Sequence, residues 1–156
     1  NHEVVGKAVE LIRLVRPDVV LSMHPERNWS RIQASHPDHL ACGEIVTRAV
    51  YPAAENPFAY PELEEGGLHS WKVPWLVFYG APRERENHAV DITAQVETKL
   101  EAVRVHASQH PDLAGMESVV RSFLRENAAR HGLPEGTSAE VFHVVGVNTP
   151  TTIAGF

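Results

Sequence analysis

The stretch RPDVVL at residues 16–21 decides how the first part of this chain folds, because it ends one element and begins another. In the preceding segment, residues 3–15, apolar side chains recur at steps of three and four, which predicts an amphipathic helix that stops at Pro17. The apolar run 19–21 is too short for a helix and predicts a buried strand. A helix followed directly by a short strand is typical of an α/β fold.

The rest of the chain continues this alternation. We predict further helices and strands at these positions: helices from 37 to about 50, through 92–103 and through 116–124, and strands at 75–79 and 141–147. The segment 51–73, rich in proline and glycine, is predicted to be a long loop, and residues 148–156 a tail. The pattern as a whole predicts a single domain over residues 1–156, an α/β sandwich with a mostly parallel sheet.

Composition restricts the class of protein and its partners. The chain has 156 residues, a net charge of −6 and 14 dispersed basic residues, which argues against binding to nucleic acid. No apolar run approaches the ~20 residues of a membrane-spanning helix. Cys42 is the single cysteine, which excludes an internal disulfide and favours a reducing cytoplasm. Nothing in the sequence indicates an oligomeric state.

The chain holds 10 histidines, and two of them share the block HPDH at residues 36–39. Pro37 suits a first helical turn, and residues three apart on a helix face the same side, so His36 and His39 could serve one small site. The block follows a polar loop that leaves the predicted strand 19–21, and ligands bind at the carboxyl ends of strands in open α/β sheets. Two interpretations are open on these grounds: a metal or catalytic site, or a helix start with two exposed histidines.

Three other histidines bear on this interpretation. His24 also follows the first strand, begins a His-Pro-acid triplet, and is interpreted as a residue that lines the site or belongs to the loop. His110 begins another such triplet after the third helix and is predicted to lie in a surface turn. His143 lies within the last predicted strand and is expected to be half buried.

The block and its surroundings resemble a known family. RPDVVL, a polar loop and SHPDHLACG at residues 35–43 resemble the second signature of the PIG-L/LmbE-type N-acetylglucosaminyl de-N-acetylases. Softer matches are VDIT at 90–93, Lys99 and VHASQ at 105–109, so the resemblance covers about residues 3–110. It implies a Rossmann-like three-layer sandwich and the hydrolytic removal of acetyl groups from N-acetylglucosamine-type substrates, either glycosyl-inositols or thiol-sugar conjugates.

The resemblance also implies roles for particular residues. His39 would be a ligand of zinc, or of another divalent metal. His36 would stabilise the oxyanion or protonate the leaving amine, and Asp38 would orient His36. The sequence ranks no residue for substrate specificity, but Asn28 and Arg31, in the loop after the first strand, are candidates for contact with a small N-acetylated amino sugar.

One departure from the family pattern limits these expectations. The family's first signature, a His-Pro-Asp-Asp block that supplies two further zinc ligands and the general base, does not occur in this chain. His24-Pro25-Glu26 does not replace it, because the preceding RPD fits the later strand and no second acid follows Glu26. We therefore expect an incomplete deacetylase domain without its N-terminal strands, inactive and poorly stable alone. The alternatives are a non-catalytic α/β sugar-binding or interaction module without the metal site, and a site completed by a separate chain.

Overall fold

The computed structural model describes residues 2–109 and 112–152. Its α-helices are α1 (His2–Val15), α2 (Pro37–Arg48), α3 (Pro61–Glu65), α4 (Val96–Arg104) and α5 (Leu113–Arg130). Its strands are β1 (Val19–Met23), β2 (Trp75–Tyr79), β3 (His88–Asp91) and β4 (Ala139–Gly146). No helix among the described residues is both long and apolar enough to cross a membrane.

The strands form a mixed sheet with the order β1-β2-β4-β3. β1 and β2 are parallel, with Val19 opposite Trp75, whereas β4 is antiparallel to β2, with His143 opposite Phe78. The α/β class is confirmed, but the prediction of a mostly parallel sheet is wrong. Side chains alternate between the two faces in the same way in parallel and antiparallel strands, so the apolar pattern of β4 carried no information about its direction.

The predicted helices and three predicted strands are confirmed, with two omissions. β3 is short and largely exposed, and its polar ends hide it from a search for apolar runs. α3 begins at Pro61 within the segment that was predicted to be a loop throughout. The helix expected from residue 92 begins at Val96, because Thr93–Gln95 form a 3-10 turn.

The chain divides into two compact units. The first comprises the described residues up to Glu86 and those from Phe142 onwards, and the second comprises Asn87–Val141. In the first unit, Val5 and Val9 of α1 belong to the same buried apolar core as Leu76 and Phe78 of β2. The second unit has a smaller core in which Val96 and Leu100 of α4 contact Leu124 of α5.

Within the first unit, the two faces of the sheet differ. Ser22, Leu76 and Phe78 alternate onto the buried face. The opposite face shows apolar side chains to solvent: Leu21 is 59% exposed and Trp75 is 41% exposed. A strand with apolar residues on both faces, and not only on alternate positions, is typical of a sheet that is covered on both sides.

The long connection between α2 and β2 is ordered around one buried cation. The guanidinium of Arg13, which is 2% exposed, donates to the carbonyl oxygens of Ala54, Asn56 and Ala59 at 3.2, 2.9 and 3.0 Å. Glu64, in α3 of the same connection, lies 3.7 Å from the guanidinium. The connection therefore folds back onto α1.

Candidate functional site

The site lies at the edge of the sheet where β1 and β2 end. Both strands are parallel, so Met23 and Tyr79 finish at the same edge, and the backbone N–H of His24 donates to the carbonyl of Tyr79 at 3.1 Å. The loop after His24 leads into α2, as expected from the order of elements in the sequence. This edge is where ligands bind in open α/β sheets.

Gly43 fixes α2 against this edge. A Cβ atom at position 43 would lie 2.6 Å from the carbonyl oxygen of Met23 and 2.7 Å from the backbone nitrogen of Pro25. Both are backbone atoms, which cannot move aside as a flexible side chain would. The absence of a side chain at Gly43 therefore sets the distance between α2, which carries the HPDH block, and the end of β1.

The HPDH block begins α2 as predicted. Pro37 is the first helical residue, and the ring of His36 caps the helix, its Nδ1 accepting from the backbone N–H of Asp38 at 3.2 Å. The ring centroids of His36 and His39 are 5.5 Å apart, and the ring planes are tilted by 53°. Both residues are exposed. The structure thus places two imidazoles side by side on an open surface at the helix start.

The contact between Asp38 and His36 differs from the role that the resemblance implies. The Asp38 carboxylate lies 3.7 Å from Nδ1 of His36, beyond hydrogen-bond distance, and its side chain is 91% exposed. In the structure the backbone of Asp38, and not its carboxylate, holds the ring. A neutral ring whose Nδ1 accepts a hydrogen bond carries its proton on Nε2.

The donors present do not fit a complete zinc site. Across residues 2–109 and 112–152, no group of three His, Cys, Asp or Glu side chains is arranged to hold a metal ion. Catalytic zinc sites use three protein ligands and leave one position open for water. His39 could supply one ligand of such a set, and the described residues do not supply the other two.

A second histidine pair, which the sequence did not reveal, lies at the same edge. Nε2 of His24 is 2.9 Å from Nδ1 of His143, and Nδ1 of His24 accepts from the backbone N–H of Glu26 at 3.0 Å. Both rings pack against Phe78, with centroids 5.1 and 6.0 Å from the phenyl ring. His143 is half buried, as predicted, and His24 is buried.

An ion pair borders these histidines. The Arg85 guanidinium donates to the Glu26 carboxylate at 2.8 Å, and this hydrogen bond lowers the pKa of Glu26. Burial lowers the pKa of His24 below its ordinary value of 6.5, and the nearby His143 lowers it further. Burial also lowers the pKa of His143, with a smaller contribution from Arg85. Both imidazoles are therefore neutral at pH 7.

The two candidate substrate residues have structural contacts in the loop. Asn28 is buried; its backbone N–H donates to Ser35 Oγ at 2.7 Å, and its Oδ1 accepts from the backbone N–H of Arg31 at 3.0 Å. These contacts shape the loop that leads to His36. His110 lies outside the described residues.

The chain is similar in sequence to known deacetylases. No family model matches the chain. It is 36% identical over 112 residues to the diacetylchitobiose deacetylase of Thermococcus kodakarensis, covering 72% of this chain and 39% of that protein. It is 27% identical over 131 residues to the 1D-myo-inositol 2-acetamido-2-deoxy-alpha-D-glucopyranoside deacetylase of Rhodococcus erythropolis, covering 69% of this chain and 43% of that protein.

A solved structure supports the same relationship. The N,N'-diacetylchitobiose deacetylase of Pyrococcus horikoshii, in complex with an inhibitor, superposes with a TM-score of 0.79 and 26% identity, over 97% of this chain and 56% of that one. The homologues of this chain are thus deacetylases of N-acetylated sugars. The chain spans 39% and 43% of the length of the two curated relatives.

Proposed function

We propose that this chain is part of an enzyme that hydrolyses the acetamido group of an N-acetylglucosamine-type substrate, a glycosyl-inositol or a thiol-sugar conjugate. The observation that carries the proposal is the HPDH block at the start of α2, which brings the rings of His36 and His39 within 5.5 Å of each other. The similarity to sugar deacetylases supports the same chemistry. A cytoplasmic location is proposed from the single cysteine, Cys42.

The proposed roles follow from the arrangement of the histidines. In amide hydrolysis, water adds to the carbonyl carbon, the C–N bond breaks, and the departing amine needs a proton. Because Nδ1 of His36 accepts from the Asp38 backbone N–H, a neutral His36 ring carries its proton on Nε2 and can donate a hydrogen bond to the oxyanion. Asp38 keeps that tautomer in place. Protonation of the amine would require the ring first to become an imidazolium by taking up the proton that the attacking water releases. His39 is proposed as one ligand of zinc or another divalent metal.

The remaining metal ligands are proposed to come from polypeptide outside these 156 residues. Two observations support this: the described residues lack a set of three ligands, and the chain matches less than half of each curated relative. The missing residues would lie on the same gene product or on a separate chain. We accordingly propose that the 156 residues alone do not turn over substrate.

The same lack of a ligand set favours a second candidate, a non-catalytic α/β module that binds a sugar or a protein. The two candidates differ in turnover. We expect the complete gene product, supplied with zinc, to release a primary amine and acetate from N-acetylglucosamine conjugates, with His36→Ala lowering kcat more than it raises KM. Binding of the sugar without any amine release would support the module instead.

A further inference from the structure

A pocket of about 790 Å³ lies within the first unit. The residues that line it come from the ends of the strands, from α2 and from the loops around them. Leu76, Phe78 and Val145 form its apolar wall, and His24, His143 and Arg85 are among its polar residues. The wall belongs to the buried face of the sheet, where Leu76 is opposite Val145 and Phe78 is opposite His143. Neither His36 nor His39 lines this pocket. A concave, mostly apolar space with a few converging polar groups is the usual form of a small-molecule site.

The hydrogen bonds around His24 fix the tautomer of both rings. The backbone N–H of Glu26 donates to Nδ1 of His24, so the proton of the neutral His24 ring is on Nε2. That N–H donates to Nδ1 of His143 over 2.9 Å. His143, also neutral, must then carry its proton on Nε2. The backbone N–H of Glu26 and the ring of His24 together therefore leave His143 with its proton on Nε2. No described residue accepts a hydrogen bond from that Nε2–H.

The charges around the pocket select among ligands. Glu26 and Arg85 neutralise each other at 2.8 Å, and the two histidines are neutral at pH 7 because burial lowers the pKa of both. The polar end of the pocket therefore has no net charge. An anion would gain little there, whereas an uncharged oxygen acceptor needs only the prepared N–H. An apolar group beside that oxygen would contact Phe78 and Val145.

We infer that this pocket binds an uncharged acyl group, such as the acetyl of an N-acetylated sugar, with the acyl oxygen accepting from Nε2–H of His143. The residues that line this pocket do not include His36 or His39, and the inference does not depend on catalysis at that pair. His24 is a positioning residue, because it acts only by fixing the tautomer of His143.

The test uses the complete gene product, labelled with ¹⁵N at histidine, and follows ring nitrogens by long-range ¹H–¹⁵N spectra. The free protein should show His24 and His143 as Nε2–H tautomers. N-acetylglucosamine should shift the Nε2 signal of His143, whereas glucosamine, which lacks the acyl group, and acetate, which is charged, should not. Equal shifts with glucosamine, or no shift with N-acetylglucosamine, in the wild-type protein would overturn the inference.

Three variants sharpen the result. His143→Leu should weaken binding of N-acetylglucosamine about tenfold, the effect of one lost hydrogen bond, and His143→Gln, which places an N–H near Nε2, should restore most of it. Unchanged binding by His143→Leu would count against the site. His39→Ala, expected to be inactive, should keep the His143 shift; loss of the shift in that variant would mean that the two sites are one. Failure of the proposed deacetylation would leave the shift in place.

Discussion

Nε2 of His24 lies 2.9 Å from Nδ1 of His143, although the two residues are 119 positions apart in the sequence. The sheet brings them together: Ser22 is opposite Phe78, Phe78 is opposite His143, and His24 follows Ser22 on the same side of the chain. The pair therefore depends on a parallel register on one side of β2 and an antiparallel register on the other.

This pair predicts acid-dependent stability. The pKa of His24 is lower in the folded protein than its ordinary 6.5, so the unfolded chain binds the proton first as pH falls. The contribution of the neutral His24 ring to the free energy of unfolding is complete above about pH 6.5 and is lost as pH falls through the lowered pKa. The titratable and charged groups that face this ring are His143, Glu26 and Arg85. Urea midpoints measured between about pH 5 and 8 should fall on the acid side.

His143→Gln should reduce that acid-dependent loss, because one half-buried imidazole no longer titrates. His106→Ala, an exposed residue of the second unit, is the matched control and should keep the wild-type profile. A His143→Gln profile identical to wild type would show that the pair does not govern the pH dependence.

Gly43→Ala should destabilise the first unit, because the added Cβ meets the backbone of Met23 and Pro25 at 2.6 and 2.7 Å. Overpacking of this kind costs about 1–3 kcal/mol, measured as a lower urea midpoint. The exposed neighbour Cys42 provides the control, since Cys42→Ala should be close to neutral. If Gly43→Ala and Cys42→Ala have the same urea midpoint, α2 does not approach the end of β1 as closely as the structure shows.

Arg13→Leu should cost about 3 kcal/mol, because three carbonyls of the connection lose the donor that they share. The connection around Asn56 and Ala59 should also become sensitive to limited proteolysis. Arg48→Leu, at an exposed position, should do neither. Protease resistance equal to wild type in Arg13→Leu would mean that the connection is ordered by other contacts.

Leu21→Lys should reduce self-association of the 156-residue chain studied by itself. Leu21 and Trp75 expose apolar surface on one face of the sheet, and such surface promotes association. Sedimentation of wild type should show oligomers that the lysine variant lacks. Val105→Lys, where an exposed valine lies outside the sheet, should leave the oligomers unchanged.

The HPDH helix start and the loop that joins it to β1 were predictable because both follow from local rules. Proline at a first helical position and histidines three apart determine the geometry of His36 and His39 without reference to the rest of the chain. The roles of His36, Asp38 and His39 in a reaction rest on resemblance, and they stay predictions.

The His24–His143 pair was not predictable in the same way. Its formation needs the direction and register of β4, and alternation of apolar residues specifies neither relative to a partner strand. One signal was available: His143 interrupts an otherwise apolar run in a strand, and a histidine that is even partly buried there needs a polar partner. His24, at the end of β1, was the candidate at the correct sheet edge.

Amine release from an N-acetylglucosamine conjugate, measured on the complete gene product with zinc for wild type, His39→Ala and His106→Ala, tests most directly whether His39 binds the metal of a deacetylase. If His39 is a metal ligand of a deacetylase, His39→Ala should lose nearly all turnover and bound zinc while His106→Ala keeps both. Wild-type turnover and zinc content in His39→Ala would contradict the account.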